Sequence, residues 1–152
     1  MKLTEHFTLD ELTKTQVRHL LGLNRLEGAK HVERLTEVCT KLLEPIRLHY
    51  SLPVVVNSGY RCKELNEAIG GSPFSQHCQG EAADFDVMTM NTEEGRKEVM
   101  HWIWKESGIL FRQLILEYGC IHISLPHGDG KDFQVFELDM GTWEKKWWST
   151  PV

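Results

Sequence analysis

Several features are missing from this chain, and each absence removes a class of function. No apolar run approaches the roughly 20 residues that a membrane-spanning helix needs, so no membrane partner is expected. The N-terminal stretch "MKLTEHFTLDEL" has an early lysine but no apolar run behind it, so it does not read as a secretory signal. The expectation is a chain that stays in the cytoplasm as synthesised. No basic run with interleaved aromatics occurs, and the formal net charge is -5 with a pI near 5.9. A phosphate backbone favours a basic face, so no nucleic acid is expected as partner. Cys39, Cys62, Cys78 and Cys120 stand without any Cys-x-x-Cys pair. That argues against a thiolate-built structural zinc site, and without a signal peptide thiols are the default over disulfides. No repeat, low-complexity tract or linker interrupts the sequence. What is present is 152 residues, 41% hydrophobic and 26% charged, enough for one domain, 1–152, around one core.

The pattern along the chain predicts the elements. Thr8 followed three residues later by Glu11 is a capping box that opens a short helix. Gly22 to Glu27 reads as a loop. From Ala29, the residues Val32, Leu35, Val38, Cys39, Leu42, Leu43 and Ile46 recur at helical spacing, a long amphipathic helix kinked near Pro45. "PVVVNSG" is a β-branched run ending in a turn, hence a strand, and "KELNEAIGG" is a short helix stopped by glycines. "AADFDV" alternates Ala82, Asp84 and Asp86 against Ala83, Phe85 and Val87, the pattern of a half-buried strand. Asn91 caps a second substantial helix that ends at Gly108. "RQLILE" and "CIHISL" form two strands about a Tyr118-Gly119 turn, and "DFQVFELD" forms another. "TWEKKWWSTPV" suits a helix or an irregular aromatic tail equally. The class is α+β, a mainly antiparallel sheet with flanking helices.

One segment asks for a chemical explanation. "SGYRCKELNEAIGGSPFSQHCQGEAADFDV" carries His77, Gly80 and Asp84 at fixed offsets, yet a Gly/Ser loop has no use for an imidazole. A catalytic zinc needs three nitrogen or oxygen donors and keeps one position open for water. His77 and Asp84 supply two, and Gly80 and Ala82 let the chain fold back so that both reach one point. The best third donor is His122 in "CIHIS", whose neighbours Ile121 and Ile123 point to the opposite face. A two-residue turn at Tyr118-Gly119 puts Glu117 across from Cys120, Ile115 across from His122 and Gln113 across from Ser124. Glu117, Cys120, His122 and Gln113 then share a face. Glu117 becomes a diagonal neighbour of His122, roughly 7–8 Å away between backbones. A carboxylate there is placed as the general base of a hydrolysis. Arg61, just past a strand, is placed to polarise a carbonyl or hold a carboxylate.

These residues carry a resemblance. "SQHCQGEAAD" fits Ser-x-His-x-x-Gly-x-Ala-x-Asp through Ser75, His77, Gly80, Ala82 and Asp84, with "SGYR" upstream and "IHIS" downstream. From about Phe7 to Leu125 the chain resembles the zinc D-alanyl-D-alanine carboxypeptidase family. That family includes small phage endolysins and dipeptidases and is related in fold to the hedgehog signalling domain. The resemblance implies a hedgehog/DD-peptidase-like fold, Zn2+ held by His77, Asp84 and His122, and Arg61 and Ser75 on the substrate. Gln113, on the same sheet face, is a further candidate substrate contact. The implied substrate class is peptidoglycan stem peptides, cut by a carboxypeptidase-like or an endolysin-like endopeptidase activity. A lysin of that kind would reach the cell wall. Many relatives place an acid three residues before the final ligand, where this chain has Gly119; Glu117 stands five before, closer to the shorter-chain and hedgehog-like pattern. Some relatives also carry a His two positions before that ligand, where this chain has Cys120.

Plainer readings compete residue by residue. His6, His19, His31, His49 and His101 read as structural or surface histidines, and His127 as a loop residue. Asp86 is either a partner behind the ligands or a solvated strand carboxylate, and Arg61 pairs with a neighbouring acid on the plain reading. Cys62 and Cys78 flank the site, Cys120 lies near the metal, and at least one of Trp102 and Trp104 belongs to the core. Two functions follow: a zinc metallopeptidase acting on cell-wall peptides, or a zinc-retaining, non-catalytic hedgehog-like binding module.

Overall fold

Alternation along the strands decides the architecture, because each strand has one face to bury and one to spare. A computed structural model describes residues 1–14, 24, 26 and 28–152. The loop expected over Gly22 to Glu27, apart from Asn24 and Leu26, and the surface role expected of His19 lie outside the described residues. The elements run α1 (Leu9–Thr13), α2 (Ala29–Val38), a π-helical turn (Cys39–Leu43), α3 (Glu44–Tyr50), β1 (Val54–Ser58) and α4 (Lys63–Ala68). A 3-10 turn (Gln76–Gln79), β2 (Ala82–Val87), α5 (Glu93–Lys105), β3 (Gln113–Glu117), β4 (Cys120–Ser124), β5 (Gln134–Leu138) and β6 (Lys145–Trp147) follow. Among the described residues these strands form one six-stranded sheet in the order β1-β2-β4-β3-β5-β6. Every pair is antiparallel except β3 with β5. This is the expected α+β class. Among the described residues no helix is long and apolar enough to cross a membrane.

One face of the sheet is the core. Val54 and Val56, Ala83, Phe85 and Val87, Ile121 and Ile123, Leu114 and Leu116, and Val135 meet Leu35, Val38, Leu42 and Ile46 of the long helix and Val99, Met100 and Ile103 of α5. The registers Ala83↔Ile123, Phe85↔Ile121 and Leu114↔Ile123 put these side chains on one side. The period of two then sends Asp84, His122 and Glu117 to the other. β2 is more deeply buried than its alternation predicts, because its second face is covered too; only Asp86 is half-exposed.

Local chemistry explains most element boundaries. Thr8 Oγ accepts from the Glu11 N–H while Glu11 reaches back to the Thr8 N–H, so α1 opens on the expected capping box. The long helix does not break at Pro45. It widens one turn earlier, where the Glu44 N–H bonds to Cys39 O, five residues back. Pro45 has no N–H for the carbonyl of Lys41, and the π turn absorbs that loss without ending the helix. α5 is capped by Thr92, whose hydroxyl accepts from the Gly95 N–H at 3.0 Å, rather than by the expected Asn91, and it ends at Lys105. Trp102 and Trp104 are both half-buried against the core edge. The undecided C-terminal segment is a short strand: β6 pairs Trp147 with Phe136 of β5, ring centroids 4.8 Å apart. Such aromatic pairs contribute about 0.5–1.5 kcal/mol beyond their buried area.

Candidate metal centre

Backbone contacts fix the loop after β1 before any reactive side chain is reached. The Tyr60 N–H donates to Leu12 O at 2.7 Å, so the end of α1 and this loop lie against each other. Gly59 permits that approach, since a Cβ there would meet the Leu12 carbonyl oxygen at 2.3 Å. Asn24 clamps the next residues, donating from Nδ2 to Tyr60 O at 2.8 Å and accepting from the Cys62 N–H at 2.9 Å. The Arg61 N–H then donates to His77 O at 3.0 Å, tying this loop to the 3-10 turn. Ser75 opens that turn by accepting the His77 N–H at 3.2 Å. Gly80 closes it with φ +72, a left-handed conformation open to glycine, and the chain turns directly into β2.

Three donors converge from these elements. Asp84 and His122 are directly opposite each other across β2 and β4, and His77 overhangs them from the turn. His77 Nε2 lies 3.1 Å and His122 Nδ1 2.9 Å from the same oxygen, Asp84 Oδ1. All three side chains are buried, and one ligand atom from each lies within 4.8 Å of the others. Glu117 Oε1 stands 3.8 Å from His122 Nδ1, and its side chain is 21% exposed, so it meets both the cluster and solvent. The hairpin delivers it there in the expected register, Glu117↔Cys120 and Ile115↔His122, with Gly119 left-handed at φ +81.

The electrostatics of the cluster fit a cation. A carbonyl only accepts, so His77 Nδ1 must donate its proton to Gly59 O, 2.6 Å away. Burial holds the His77 pKa below the ordinary imidazole value, against the pull of Asp84. A neutral ring with its proton on Nδ1 turns a lone pair at Nε2 toward a carboxylate oxygen. Two acceptors at 3.1 Å repel unless positive charge sits between them. Burial also opposes charge on His122, but the bond and charge of Asp84, with Glu117, outweigh it and raise the His122 pKa. For Asp84 burial is likewise outweighed by the two imidazoles, which hold the carboxyl ionised. Burial, then the charge of Asp84, keeps the Glu117 pKa above the usual carboxylate value, the direction a general base requires. Two imidazoles and one carboxylate suit zinc or ferrous iron by donor type alone.

The other expected residues fall around this cluster. Arg61 makes no salt bridge among the described residues, and its Nε is buried without a hydrogen-bond partner there. Its Nη2 donates to Ser75 Oγ at 3.4 Å, so Ser75 supports both Arg61 and His77. Gln113 does not join the donor cluster; its side-chain amide donates to Gln134 Oε1 at 3.2 Å, farther along the same face. Cys120 does come close, its sulfur within 4.8 Å of ligand atoms of Asp84 and Glu117. Burial first, then the acids around it, raises the pKa of that thiol. Asp86 is neither a free solvated carboxylate nor bonded to the ligands: Arg96 of α5 holds both its oxygens, at 2.7 and 3.2 Å. His6 pairs with Glu44, His49 stacks on Trp102, His31 lies against Tyr60, and His127 sits beside Gln76 and Glu81. A cleft of about 620 Å³ opens at the hairpin tip, with Glu117, Tyr118, Arg96, Glu137 and Met140 in its wall.

Against known families, the model described as Peptidase M15 matches residues 5–123. The chain belongs to the Peptidase M15 family. It is the zinc D-Ala-D-Ala carboxypeptidase family, so the resemblance carried by "SQHCQGEAAD", "SGYR" and "IHIS" is borne out, and membership implies a hydrolase. M15 peptidases are typically zinc-dependent, and the cluster of His77, Asp84 and His122 could bind a metal. No curated protein matches the chain. Two supporting residues escaped the sequence reading. Gly59 orients His77 through its carbonyl, and a backbone contact leaves no side-chain signal. Asn24 reads as a helix breaker in a loop, and nothing in its neighbours marks it as a clamp.

Proposed function

We propose that this M15 chain is a zinc-dependent peptidase that hydrolyses a peptide bond in peptidoglycan stem peptides. The observation that carries the reading is the convergence of His77, Asp84 and His122 within 4.8 Å beside a half-buried carboxylate, with a guanidinium, Arg61, that makes no salt bridge among the described residues. His77 through Nε2, His122 through Nδ1 and Asp84 through its carboxylate would hold the zinc. When bound, zinc supplies Lewis acidity toward the scissile carbonyl and toward water. Glu117 takes the proton of the attacking water and returns it to the leaving amine, a role its position at the edge of the cluster and its raised pKa support. Arg61, which makes no salt bridge among the described residues, offers its charge to an anion, either the oxygen that gains charge during attack or the substrate's carboxylate. Ser75 holds that guanidinium in place, and Gln113 lies along the face on which an extended peptide would run. The cleft beside Glu117 offers room for the chain on one side of the scissile bond.

The test is mass spectrometry of purified muropeptides after incubation with zinc-loaded protein, with and without a chelator. The expected result is new peptide termini that vanish with the chelator and return with zinc. Their masses separate loss of a terminal D-alanine from internal cleavage. Zinc-loaded protein that leaves every muropeptide intact would instead favour the non-catalytic binding module.

A further inference from the structure

Two donor sets meet at Asp84. One is His77, Asp84 and His122; the other is Asp84, Glu117 and Cys120, whose ligand atoms also lie within 4.8 Å of one another. We propose that the second set is a site for a second, thiophilic divalent cation of the zinc or cadmium type, and that filling it switches the peptidase off by engaging Glu117.

The sheet register builds this site. Cys120 and Glu117 are direct cross-strand partners at the mouth of the hairpin, and Cys120 precedes His122 by two residues, so it shares that face. Asp84, across from His122, reaches both imidazoles through Oδ1, which leaves its other oxygen outside those two bonds. Donors sharing one tetrahedral zinc stand roughly 3.3–3.8 Å apart, given bonds of about 2.0–2.3 Å, so small side-chain rotations close the set. The nearby acid Asp86 takes no part, because Arg96 occupies both its oxygens. A sulfur donor beside two carboxylates selects zinc or cadmium over magnesium and calcium. On binding, the Cys120 S–H bond gives way to a sulfur–metal bond and its proton passes to solvent; nothing is oxidised or reduced.

The consequence for rate rests on the peptidase reading, whereas the binding does not. A Glu117 carboxylate engaged by a cation is turned toward that ion and loses basicity, so it is a poorer acceptor for the proton of water. Activity therefore rises with the first equivalent of zinc and falls as a second binds.

Cadmium titration of the full chain tests the site, because a cadmium–thiolate bond has its own charge-transfer absorption in the ultraviolet. The expected result is two cadmium ions per chain and a thiolate band, with the band absent from Cys120→Ser and Cys120→Ala and retained in His77→Ala. Glu117→Gln weakens binding at the thiolate site by at least about tenfold, since even partners behind a ligand are worth that much. A band that survives both Cys120 variants and disappears in Cys78→Ser overturns the proposal. So does a single cadmium bound by the imidazoles and the thiolate together, or the lack of any thiolate band. If muropeptides stay intact while the band follows Cys120, the peptidase reading fails and the second site stands.

Discussion

His77 takes its tautomer from a peptide carbonyl. With the Nδ1 proton on Gly59 O at 2.6 Å, Nε2 is the nitrogen left to face Asp84, so the donor is set before any metal arrives. Glu117 differs: it is half-buried, 3.8 Å from His122, and in no short hydrogen bond with it. Removing its charge should therefore spare the three donors. Glu117→Gln is expected to keep one zinc per chain by elemental analysis while the rate of muropeptide cleavage falls by about 10²-fold or more, the usual scale for a positioned base. An undiminished rate would assign the proton transfer to another group. At this scale much was legible in the sequence. The spacing His77, Gly80, Asp84 and the isolation of His122 between Ile121 and Ile123 required only local geometry. The Arg96 clamp on Asp86 was not legible, because it depends on where the first turn of α5 lands relative to β2.

The elements were readable where a short-range rule governed them and unreadable where packing did. The hairpin register followed from a two-residue turn, and one misplaced residue would have sent Glu117 to the core face. The cap of α5 moved from Asn91 to Thr92 because two adjacent capping residues compete and only the one with a hydroxyl reaching the Gly95 N–H wins. The C-terminal segment resolved into β6 only through its partner, since Trp147 needs Phe136 of β5 beside it. The contact between α1 and the loop after β1 also depends on packing, and it gives an element-scale prediction. Gly59→Ala brings a methyl carbon against the Leu12 carbonyl, 2.3 Å away before relaxation. Relief moves the loop that carries Gly59 O and thus the support of His77. The expected loss is about 2–4 kcal/mol in urea denaturation, with weaker zinc binding; unchanged stability would mean α1 does not brace the site.

Over the whole molecule, the N-terminal segment is stitched to the start of α3 by one carboxylate. Glu44 accepts from the Thr4 hydroxyl at 2.7 Å and the His6 N–H at 2.8 Å, and pairs with His6 Nδ1 at 2.7 Å. Burial pushes its pKa up, but those bonds together outweigh burial and leave it below the ordinary 4.5. A carboxyl whose folded pKa is depressed contributes stability that is fully present above the unfolded value and lost as pH falls through the folded one. Unfolding free energy should therefore decline below pH 4.5, and Glu44→Gln should be less stable near neutrality with a shallower acid decline. Parallel curves for the two proteins would remove Glu44 from the acid response. Beyond Glu44, the molecule's chemistry depends on His77, Asp84 and His122 closing on one zinc. Anomalous diffraction at the zinc edge, from crystals grown with one equivalent of zinc, locates the ion. The expected result is a full-occupancy peak within bonding distance of His77 Nε2, His122 Nδ1 and an Asp84 oxygen. A peak elsewhere on the chain, or those three side chains turned apart around no peak, would refute that arrangement.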